Sequence, residues 1–250
     1  MKPNLDSEYG KRYRELYERH WWWRSREAAV LSVLRRRLPP GQPREILDVG
    51  CGDGLFFRAL GEFGSVEGLE SSAELLTTDG EFRSRIHVAP FDGAFQPGKR
   101  YGLILMLDVL EHLADPHAAL RQAESLLARG GLLVITVPAF RLLWTNHDVL
   151  NHHVIRYRRG TLRPLVERAG LRIIEERYWY QWMCPVKLAQ RIVEGIFRLR
   201  PSPPNIPGKW LNSLLYWVSR WEQKTLAGWG APFGSSLLIA CAKTTPIHAK

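Results

Sequence analysis

Three glycines alternate along Gly50-Cys51-Gly52-Asp53-Gly54, a spacing that suits binding of a ligand by the protein backbone. The stretch Ile46–Val49, apolar except for Asp48, comes directly before it and predicts a buried strand, and Leu55–Leu60 after it have helical spacing. A strand, a glycine-rich turn and a helix are the opening of a nucleotide-binding βαβ unit. Glycine lets the backbone pass close to a ligand, and the helix N-terminus offers unpaired N–H groups to it.

The glycine pattern is G-x-G-x-G, because Leu55 stands where a dinucleotide-binding loop carries its third glycine. No pyrophosphate is needed to explain such a turn. The stretch resembles motif I of the class I S-adenosylmethionine-dependent methyltransferases, in which this loop wraps the methionine half of the cofactor. A glycine-rich turn that binds no ligand is the alternative interpretation.

An acidic residue closes the next predicted strand, Ser65–Glu70. Glu70 lies twenty residues beyond Gly50, where a carboxylate at the end of strand 2 can accept both ribose hydroxyls of a nucleotide. A surface glutamate without a ligand is the alternative. The strand context and the spacing favour ribose binding.

The third predicted strand, Ile86–Ala89, leads into Pro90-Phe91-Asp92-Gly93. In the methyltransferases that the chain resembles, an acid here bonds the adenine amino group while a neighbouring side chain packs on the ring. The resemblance therefore implies these roles for Asp92 and Phe91. An aspartate before glycine is also typical of a turn, which is the alternative for Asp92.

Strand 4 is predicted at Tyr101–Leu107 and runs into Asp108-Val109-Leu110-Glu111-His112. This phrase resembles the motif after strand 4 of many small-molecule methyltransferases, including ubiquinone-pathway O-methyltransferases. Ligands of open α/β sheets bind at the carboxyl ends of such strands. His112 is a candidate general base on a hydroxyl or amine, since its ordinary pKa is near neutrality. A role only in orienting the turn is the alternative.

The resemblance implies S-adenosyl-L-methionine as cofactor and S-adenosyl-L-homocysteine as product, with no metal ion expected. It also implies a set of cofactor-binding residues, with Leu107 and Asp108 near the methionine end. The full predicted set is Arg24, Arg26, Asp48, Gly50, Cys51, Gly52, Glu70, Ser71, Phe91, Asp92, Leu107, Asp108 and His112.

A helix is predicted at Ala118–Ala128 and strand 5 at Leu132–Val137. The long loop that follows, residues 138–157, is rich in histidine. Its histidines and Asp148 fit no common zinc spacing, so a metal site is not expected. One bacterial methyltransferase subgroup carries His-x-Arg-Arg-Tyr here, which His153, Arg156 and Tyr157 match while Ile155 replaces the first arginine. This resemblance implies that His153 and Tyr157 act on the acceptor side as catalytic residues, with helix capping and packing as the alternative.

Residues 5–38 predict one or two helices that contain His20-Trp21-Trp22-Trp23-Arg24-Ser25-Arg26. The segment is either an amphipathic helix docked by its tryptophans or a cover over the cofactor pocket. In the second case a guanidinium would reach the methionine carboxylate. The same subgroup shows a similar element ahead of motif I, which favours Arg24 or Arg26 without choosing between them.

The charge of the chain is concentrated in two segments. The net charge is +10 over 250 residues. Residues 1–44 carry eleven Lys and Arg against five Asp and Glu, and residues 179–233 carry seven against two, so the remainder is near neutral. Nine of the ten tryptophans also lie in these segments. The basic and aromatic character therefore belongs to two additions to a central body.

The cysteines Cys51, Cys184 and Cys241 lie far apart and form no CxxC pair, which predicts a reducing compartment. The N-terminus has no apolar leader core, and no run of eighteen uncharged apolar residues occurs. We expect a cytoplasmic protein, with peripheral contact at the inner membrane face as an extension of that prediction.

The order of strands and helices predicts a Rossmann-like, doubly wound α/β sheet of seven strands, with strand 7 antiparallel as in the family that it resembles. Strands 6 and 7 are predicted at Leu171–Tyr178 and Leu237–Ala242. The predicted domains are a helical cap (1–44), a cofactor-binding core (45–178), a helical lid insertion (179–233) and the last strand with its tail (234–250). By this topology the insertion rises over the acceptor pocket.

The insertion predicts two helices, at about Pro185–Leu199 and Lys209–Leu226. On the second, Trp210, Leu214, Trp217 and Trp221 share an apolar face and Asn212, Ser213, Ser219, Arg220, Gln223 and Lys224 a polar face. Three interpretations of the apolar face stay open. It could pack on its own domain or on a dimer partner, it could form a wall of an acceptor pocket, or it could rest on anionic lipid.

The resemblance of the glycine loop and the motif after strand 4, together with the apolar insertion, leads us to expect a methyltransferase. It would act on an O or N atom of a hydrophobic small-molecule or lipid-linked metabolite. RNA methylation is an alternative suggested by the basic charge and aromatics. Against it, no RNA-binding module and no Asn/Asp-Pro-Pro-aromatic motif occur, so nucleic acid is not the expected partner. A membrane-surface scaffold that retains the fold without activity is the non-enzymatic alternative.

Overall fold

One seven-stranded sheet organises the computed structural model, which describes residues 7–226 and 230–243, with side chains from residue 12 onward. The strand order is β3-β2-β1-β4-β5-β7-β6, and β7 runs antiparallel to both of its neighbours. The strands are β1 (Arg44–Val49), β2 (Gly64–Glu70), β3 (Ile86–Val88), β4 (Tyr101–Leu107), β5 (Leu127–Pro138), β6 (Leu171–Trp179) and β7 (Ser236–Lys243). The predicted doubly wound fold, with its antiparallel seventh strand, is confirmed.

Eight α-helices accompany the sheet within the described residues. They are α1 (Ser7–Arg19), α2 (Trp21–Arg37), α3 (Phe57–Leu60), α4 (Pro116–Leu126), α5 (Asn146–Leu150), α6 (Arg159–Arg168), α7 (Met183–Phe197) and α8 (Lys209–Thr225). Parts of the predicted cap, insertion and tail, at residues 1–6, 227–229 and 244–250, lie outside the described residues. Within the described part, no helix combines the length and apolarity needed to cross a bilayer.

Both faces of the sheet are covered by helices, because alternate strand residues enter two different cores. On β4, Ile104 and Met106 pack in one core with α4 and α6, whereas Leu103 and Leu105 pack in the other with α2 and α3. This alternation explains why β4 is apolar at nearly every position. The second core is partly built by α2, so the N-terminal segment belongs to the core of the domain.

Two element boundaries differ from the prediction. The helix expected over Leu55–Leu60 has a single turn, α3, because the backbone is still turning at Gly54, where φ is +70°. Strand β5 begins at Leu127 instead of Leu132, since the chain pairs with Tyr101 at once and then shifts register. The helix before it therefore ends at Leu126, short of the predicted Ala128.

Helix α8 packs by its polar face, the reverse of the usual arrangement of an amphipathic helix. Its buried residues are Asn212, Ser219 and Glu222, while Trp210 is 77% exposed. Asn212 accounts for part of this orientation. Its Oδ1 accepts from the N–H of Trp21 at 2.9 Å, and its Nδ2 donates to the carbonyl of Arg19 at 2.8 Å. One amide thus joins α8 to the break between α1 and α2.

We expect Asn212→Ala to lower the free energy of unfolding by about 1–3 kcal/mol, since it leaves a backbone donor and acceptor without their partner. Ser213→Ala is the matched control, because Ser213 is the next residue on the same helix and is exposed. Urea unfolding of both variants measures the difference. Equal urea midpoints for the two variants would contradict a stabilising role for the two hydrogen bonds of Asn212.

Candidate active site

A cavity of about 700 Å³ lies at the carboxyl ends of β1, β2 and β4. A cavity of this size suits a nucleotide-sized ligand. The strand ends contribute Gly50, Gly52, Glu70, Ser71, Leu107 and Asp108 to its wall. Its other walls come from the segment that spans α1 and α2 (Tyr13, Trp22, Trp23, Arg26), the loop after β5 (His147, Asn151, His153, Arg156) and α7 (Met183, Lys187, Gln190).

The glycine loop turns back onto β2 and leaves open space above it. Gly50 and Gly52 have φ of +71° and +53°, values that favour glycine. The N–H groups of Gly50 and Cys51 donate to the carbonyl of Leu69, at 2.8 and 3.3 Å. A Cβ built on Gly52 would meet no heavy atom within 4 Å, although Gly52 lines the cavity. The loop therefore fits a ligand that lies directly against its backbone.

The carboxylate of Glu70 links the end of β2 to this loop. Its Oε2 accepts from the N–H of Gly52 at 3.0 Å, and its Oε1 accepts from the N–H of Ser72 at 3.0 Å and the hydroxyl of Ser71 at 3.4 Å. Glu70 is only 6% exposed, yet it lines the cavity. A carboxylate held in this way keeps lone pairs for further donors, as ribose binding requires.

A partly buried ion pair joins the N-terminal segment to the end of β4. The guanidinium of Arg26 lies 2.6 Å from Oδ2 of Asp108 and 5.4 Å from the ring of Trp22. Asp108 has φ of +56°, and its Oδ1 accepts from the hydroxyl of Thr136 at 3.2 Å. The Nε atom of Arg26 is buried without a hydrogen-bond partner among the described residues. Arg26 therefore retains a donor beside the cavity.

The structure chooses between the two predicted arginines. Arg24 does not line the cavity, and its guanidinium lies over the ring of Tyr216 of α8 at 4.8 Å. Side chains two residues apart on a helix point about 200° apart around its axis. Arg24 and Arg26 therefore leave α2 on nearly opposite sides. Of these two arginines, only Arg26 lines the cavity.

Asp92 does not reach the cavity either. Its Oδ1 accepts from the N–H of Ala94 at 2.9 Å, and the residue is exposed. This is the turn that the Asp-Gly pair also predicted, because the side chain already caps its own backbone. Phe91, in contrast, lines the cavity as expected for a residue that packs on a ring.

Asp48 and Cys51 support the cavity from behind. Asp48 is 5% exposed, and burial raises its pKa to about 7, with Arg26 opposing the shift and Glu70 adding to it. The thiol of Cys51 packs so closely on Gly68 that an added Cβ there would stand 2.3 Å from Sγ. Neither side chain lines the cavity, so the predicted contacts with the cofactor are not seen for these two residues.

A hydrogen-bonded chain of three side chains crosses the loop after β5. Nδ1 of His153 lies 2.8 Å from Oδ1 of Asp148. The same carboxylate accepts from Nε of Arg156 at 2.7 Å and from the N–H of Thr145 at 2.8 Å. Burial works to raise the pKa of Asp148, but the hydrogen bonds from His153 and Arg156 outweigh it and hold this pKa well below its usual range. The carboxylate is therefore charged, and it orients the His153 ring.

His112 and Glu111 lie beside this chain. The rings of His112 and His153 are 4.8 Å apart, and Nε2 of His153 is 4.0 Å from Oε1 of Glu111. Burial and the neighbouring His153 lower the pKa of His112 to about 4. Burial and Asp108 raise the pKa of Glu111 well above its usual value, and neither of its carboxyl oxygens has a partner among the described residues. When it is protonated, Glu111 can therefore donate a hydrogen bond to a ligand.

The same three residues offer one ligand atom each within 4.8 Å of one another, which is close enough to hold a metal ion. Burial, which raises the pKa of Glu111, works against a metal ion, because a cation binds the ionised carboxylate. Hydrogen bonding to an acceptor molecule uses the same atoms without that cost. We therefore keep the prediction that no metal takes part.

Tyr157 is packed away from the cavity. It is 1% exposed, and its hydroxyl donates to the carbonyl of Leu110 at 3.2 Å. Burial also raises its pKa above the usual value for tyrosine. A buried phenol with a satisfied hydrogen bond and a raised pKa is a poor proton acceptor, so the predicted catalytic role gives way to the packing alternative.

Comparison with known proteins agrees with this geometry. A model of the methyltransferase domain family matches residues 22–176, which is more than half of the chain. The chain belongs to the class I S-adenosylmethionine-dependent methyltransferases. The family predicted from the glycine loop and the motif after strand 4 is thereby confirmed.

Individual relatives of this methyltransferase are distant. It is 27% identical over 124 residues to a ubiquinone biosynthesis O-methyltransferase of Parvibaculum lavamentivorans, an alignment that spans 45% of this chain and 47% of that protein. The chain thus covers about half the length of the curated relative. The described fold resembles a Haloferax volcanii methyltransferase solved in complex with the Trm112 activator, with TM-score 0.58, 19% identity and 96% of both chains covered.

A second solved structure is the phosphoethanolamine N-methyltransferase 2 of Haemonchus contortus in complex with S-adenosyl-L-methionine. Its TM-score is 0.56 at 19% identity, over 86% of this chain and 52% of that one. At such identities both structures show a shared fold and nothing finer. The acceptor has to be argued from this methyltransferase itself.

Several residues of the site were missed by sequence reasoning. Asp148 and Arg156 orient His153, Glu111 faces it, and Lys187 of α7 reaches the same cavity. Burial and the nearby Arg156 lower the pKa of Lys187 to about 8. The partial match to the His-x-Arg-Arg-Tyr pattern was the one signal that pointed to Arg156. The loop after β5 is irregular, so it has no hydrophobic periodicity from which the partners of His153 could be predicted.

We expect Gly52→Val to weaken S-adenosyl-L-methionine binding at least tenfold (about 1.4 kcal/mol), because the added side chain would fill the open space in the cavity. Gly41→Val is the matched control. Gly41 also has positive φ (+73°) and open space around a built Cβ, but it lies outside the cavity wall. The two variants should therefore share a backbone strain of about 1–2 kcal/mol.

Isothermal titration calorimetry and thermal melting of the two variants separate cofactor binding from strain. Equal loss of affinity in Gly52→Val and Gly41→Val would show that strain, and not contact with the cofactor, is responsible.

Proposed function

We propose that this protein transfers a methyl group from S-adenosyl-L-methionine to an O or N atom of a hydrophobic small-molecule or lipid-linked metabolite. One observation carries the proposal. The cavity that contains the glycine loop and Glu70 also contains His153, whose ring is held by a buried carboxylate. A cofactor site and an oriented base thus share one enclosed space, as methyl transfer to O–H or N–H requires.

The cofactor side of the cavity supplies complementary groups for each part of S-adenosyl-L-methionine. Glu70 would accept the ribose hydroxyls, Phe91 would pack on the adenine ring, and Gly52 would lie against the methionine half. Arg26 would direct its unpartnered Nε donor toward the methionine carboxylate. When bound, the cofactor supplies an electrophilic methyl group, and the bonding pair stays on sulfur in S-adenosyl-L-homocysteine as the acceptor takes the methyl.

The proton of the acceptor would go to His153. Because Asp148 is an ionised acceptor, Nδ1 of His153 carries the hydrogen of this pair, which leaves the Nε2 lone pair available. His112 would accept or donate hydrogen bonds as a neutral ring, since its pKa of about 4 keeps it uncharged near neutral pH. The neutral carboxyl of Glu111 would donate to a second polar atom of the acceptor.

The character of the acceptor is suggested by the remaining walls. Trp22, Trp23, Leu113 and Met183 place aromatic and apolar surface around the polar cluster. Such a lining favours a molecule with an apolar body and a few polar atoms. The distant relatives named as ubiquinone biosynthesis O-methyltransferases support an oxygen atom as acceptor.

A pH profile distinguishes the two histidines as base. We expect His153→Asn to lower kcat by about a hundredfold or more, a typical contribution of a general base. We expect His112→Gln to have a smaller effect and to retain the acidic limb of the profile. With a pKa of about 4, His112 is already neutral at pH 5 and above, so its protonation cannot cause loss of activity between pH 8 and pH 5.

Transfer of labelled methyl to a prenylated catechol and to a prenylated amine measures both variants and the parent. An acidic limb lost in His112→Gln and kept in His153→Asn would reverse the assignment. Transfer to total RNA but to neither probe would contradict the proposed acceptor class. Cofactor binding without transfer to any acceptor would favour the scaffold alternative.

A further inference from the structure

Exposed apolar side chains are concentrated in the insertion between β6 and β7. Eighteen large apolar side chains of the described residues are exposed, and twelve of them lie between residues 186 and 221. Six belong to α8, where Trp210, Trp217 and Trp221 are 77%, 64% and 63% exposed. We name this α8 surface the outer face, which consists of Trp210, Leu211, Leu214, Trp217, Val218 and Trp221.

The outer face is exposed because the opposite side of α8 is anchored by polar contacts. Besides the two hydrogen bonds of Asn212, the hydroxyl of Ser219 accepts from the indole N–H of Trp182 at 3.3 Å. Oε2 of Glu222 accepts from the backbone N–H of Trp182 at 2.9 Å. These bonds would be lost if the helix rotated to bury its tryptophans. The orientation is therefore built into the fold.

Helix α7 is also apolar toward the outside. None of its fifteen residues is buried, and Val186, Ile196 and Phe197 are 50%, 69% and 68% exposed. Other residues of the same helix, Met183, Lys187 and Gln190, line the cavity. The exposed insertion thus forms part of the wall of the active site.

The exposed charges of the insertion have one sign. Residues 179–233 carry seven Lys and Arg against two acids, and both acids are bonded within the protein. Glu222 accepts from Trp182, and Oε2 of Glu194 accepts from the N–H of Asn146 at 2.8 Å. The exposed cations are Arg191, Arg198, Arg200, Lys209 and Lys224. The apolar surface is therefore accompanied by positive charge.

We propose that the outer face docks this protein on an anionic bilayer surface, with its tryptophans in the headgroup region and the cations on lipid phosphates. Tryptophan beside Lys and Arg is the composition of helices that lie in a membrane interface. Each such cation near an anionic surface adds to the attraction, which salt screens. A two-fold contact between copies would instead bring two like-charged surfaces together, which costs energy. This docking goes beyond the proposed reaction and does not depend on it.

Flotation with phosphatidylcholine vesicles, with and without phosphatidylglycerol, tests the docking on the full chain. We expect binding to the anionic vesicles at low salt, weakened by high salt, and little binding to the neutral ones. The triple change Trp210→Ser, Trp217→Ser, Trp221→Ser should lower the partition coefficient at least tenfold, as should Lys209→Glu with Lys224→Glu.

Arg129→Glu with Arg172→Glu is the matched control for charge. Both arginines are exposed at the amino ends of β5 and β6, away from the cavity edge, and the pair changes the net charge by the same amount. This control should bind vesicles nearly as well as the parent. Unchanged thermal melting and cofactor affinity in the tryptophan variant would show that its fold and its methyltransferase site are intact.

Three results would overturn the proposal. The first is absence of binding to anionic vesicles, and the second is binding that the tryptophan variant retains. The third is a parent protein that sediments as a dimer while the tryptophan variant sediments as a monomer, because the outer face would then be an interface between copies. Each of these results leaves the proposed methyl transfer to be judged by its own assay.

Discussion

The ion pair between Arg26 and Asp108 is the contact on which the site depends. It ties α2, an element that precedes the first strand, to the carboxyl end of the central strand β4. A charged side chain that is largely withdrawn from water is costly unless it is paired, and the side chains of Arg26 and Asp108 are only 11% and 24% exposed. Each residue therefore requires the other. The result is that the segment of α1 and α2 becomes a wall of the cofactor cavity.

The parts of the site that the sequence predicted share one property, which is that local pattern determines their place. Gly50 and Gly52 lie in the turn after β1 and Glu70 ends β2, so the order of strand, turn and strand brings them to one edge. The same holds for Asp108 at the end of β4. The sheet could be predicted for the same reason, since its buried strands are short apolar runs separated by clear turns.

The parts that could not be predicted depend on contacts between distant segments. Periodicity divides α8 into two faces but does not say which faces the protein. That is decided by Asn212, Ser219 and Glu222, whose partners lie in α2 and beside α7. Asp92 was ambiguous for a different reason. An aspartate at this position fits both an adenine-binding residue and a turn before glycine, and its side chain forms the turn. The Asp148–His153 pair lies in a loop without period, so only the folded chain reveals it.

The outer surface and the reaction site are connected through α2. Asn212 of α8 bonds the first residue of this helix, Trp21, and five residues later Arg26 pairs with Asp108 in the cavity wall. Arg24, between them, lies over Tyr216 of α8. A displacement of α8 would therefore break polar contacts with the helix that closes the cofactor cavity. The inverted packing of α8 serves two purposes at once, since the polar side that braces the cavity wall is what leaves the tryptophans on the outside.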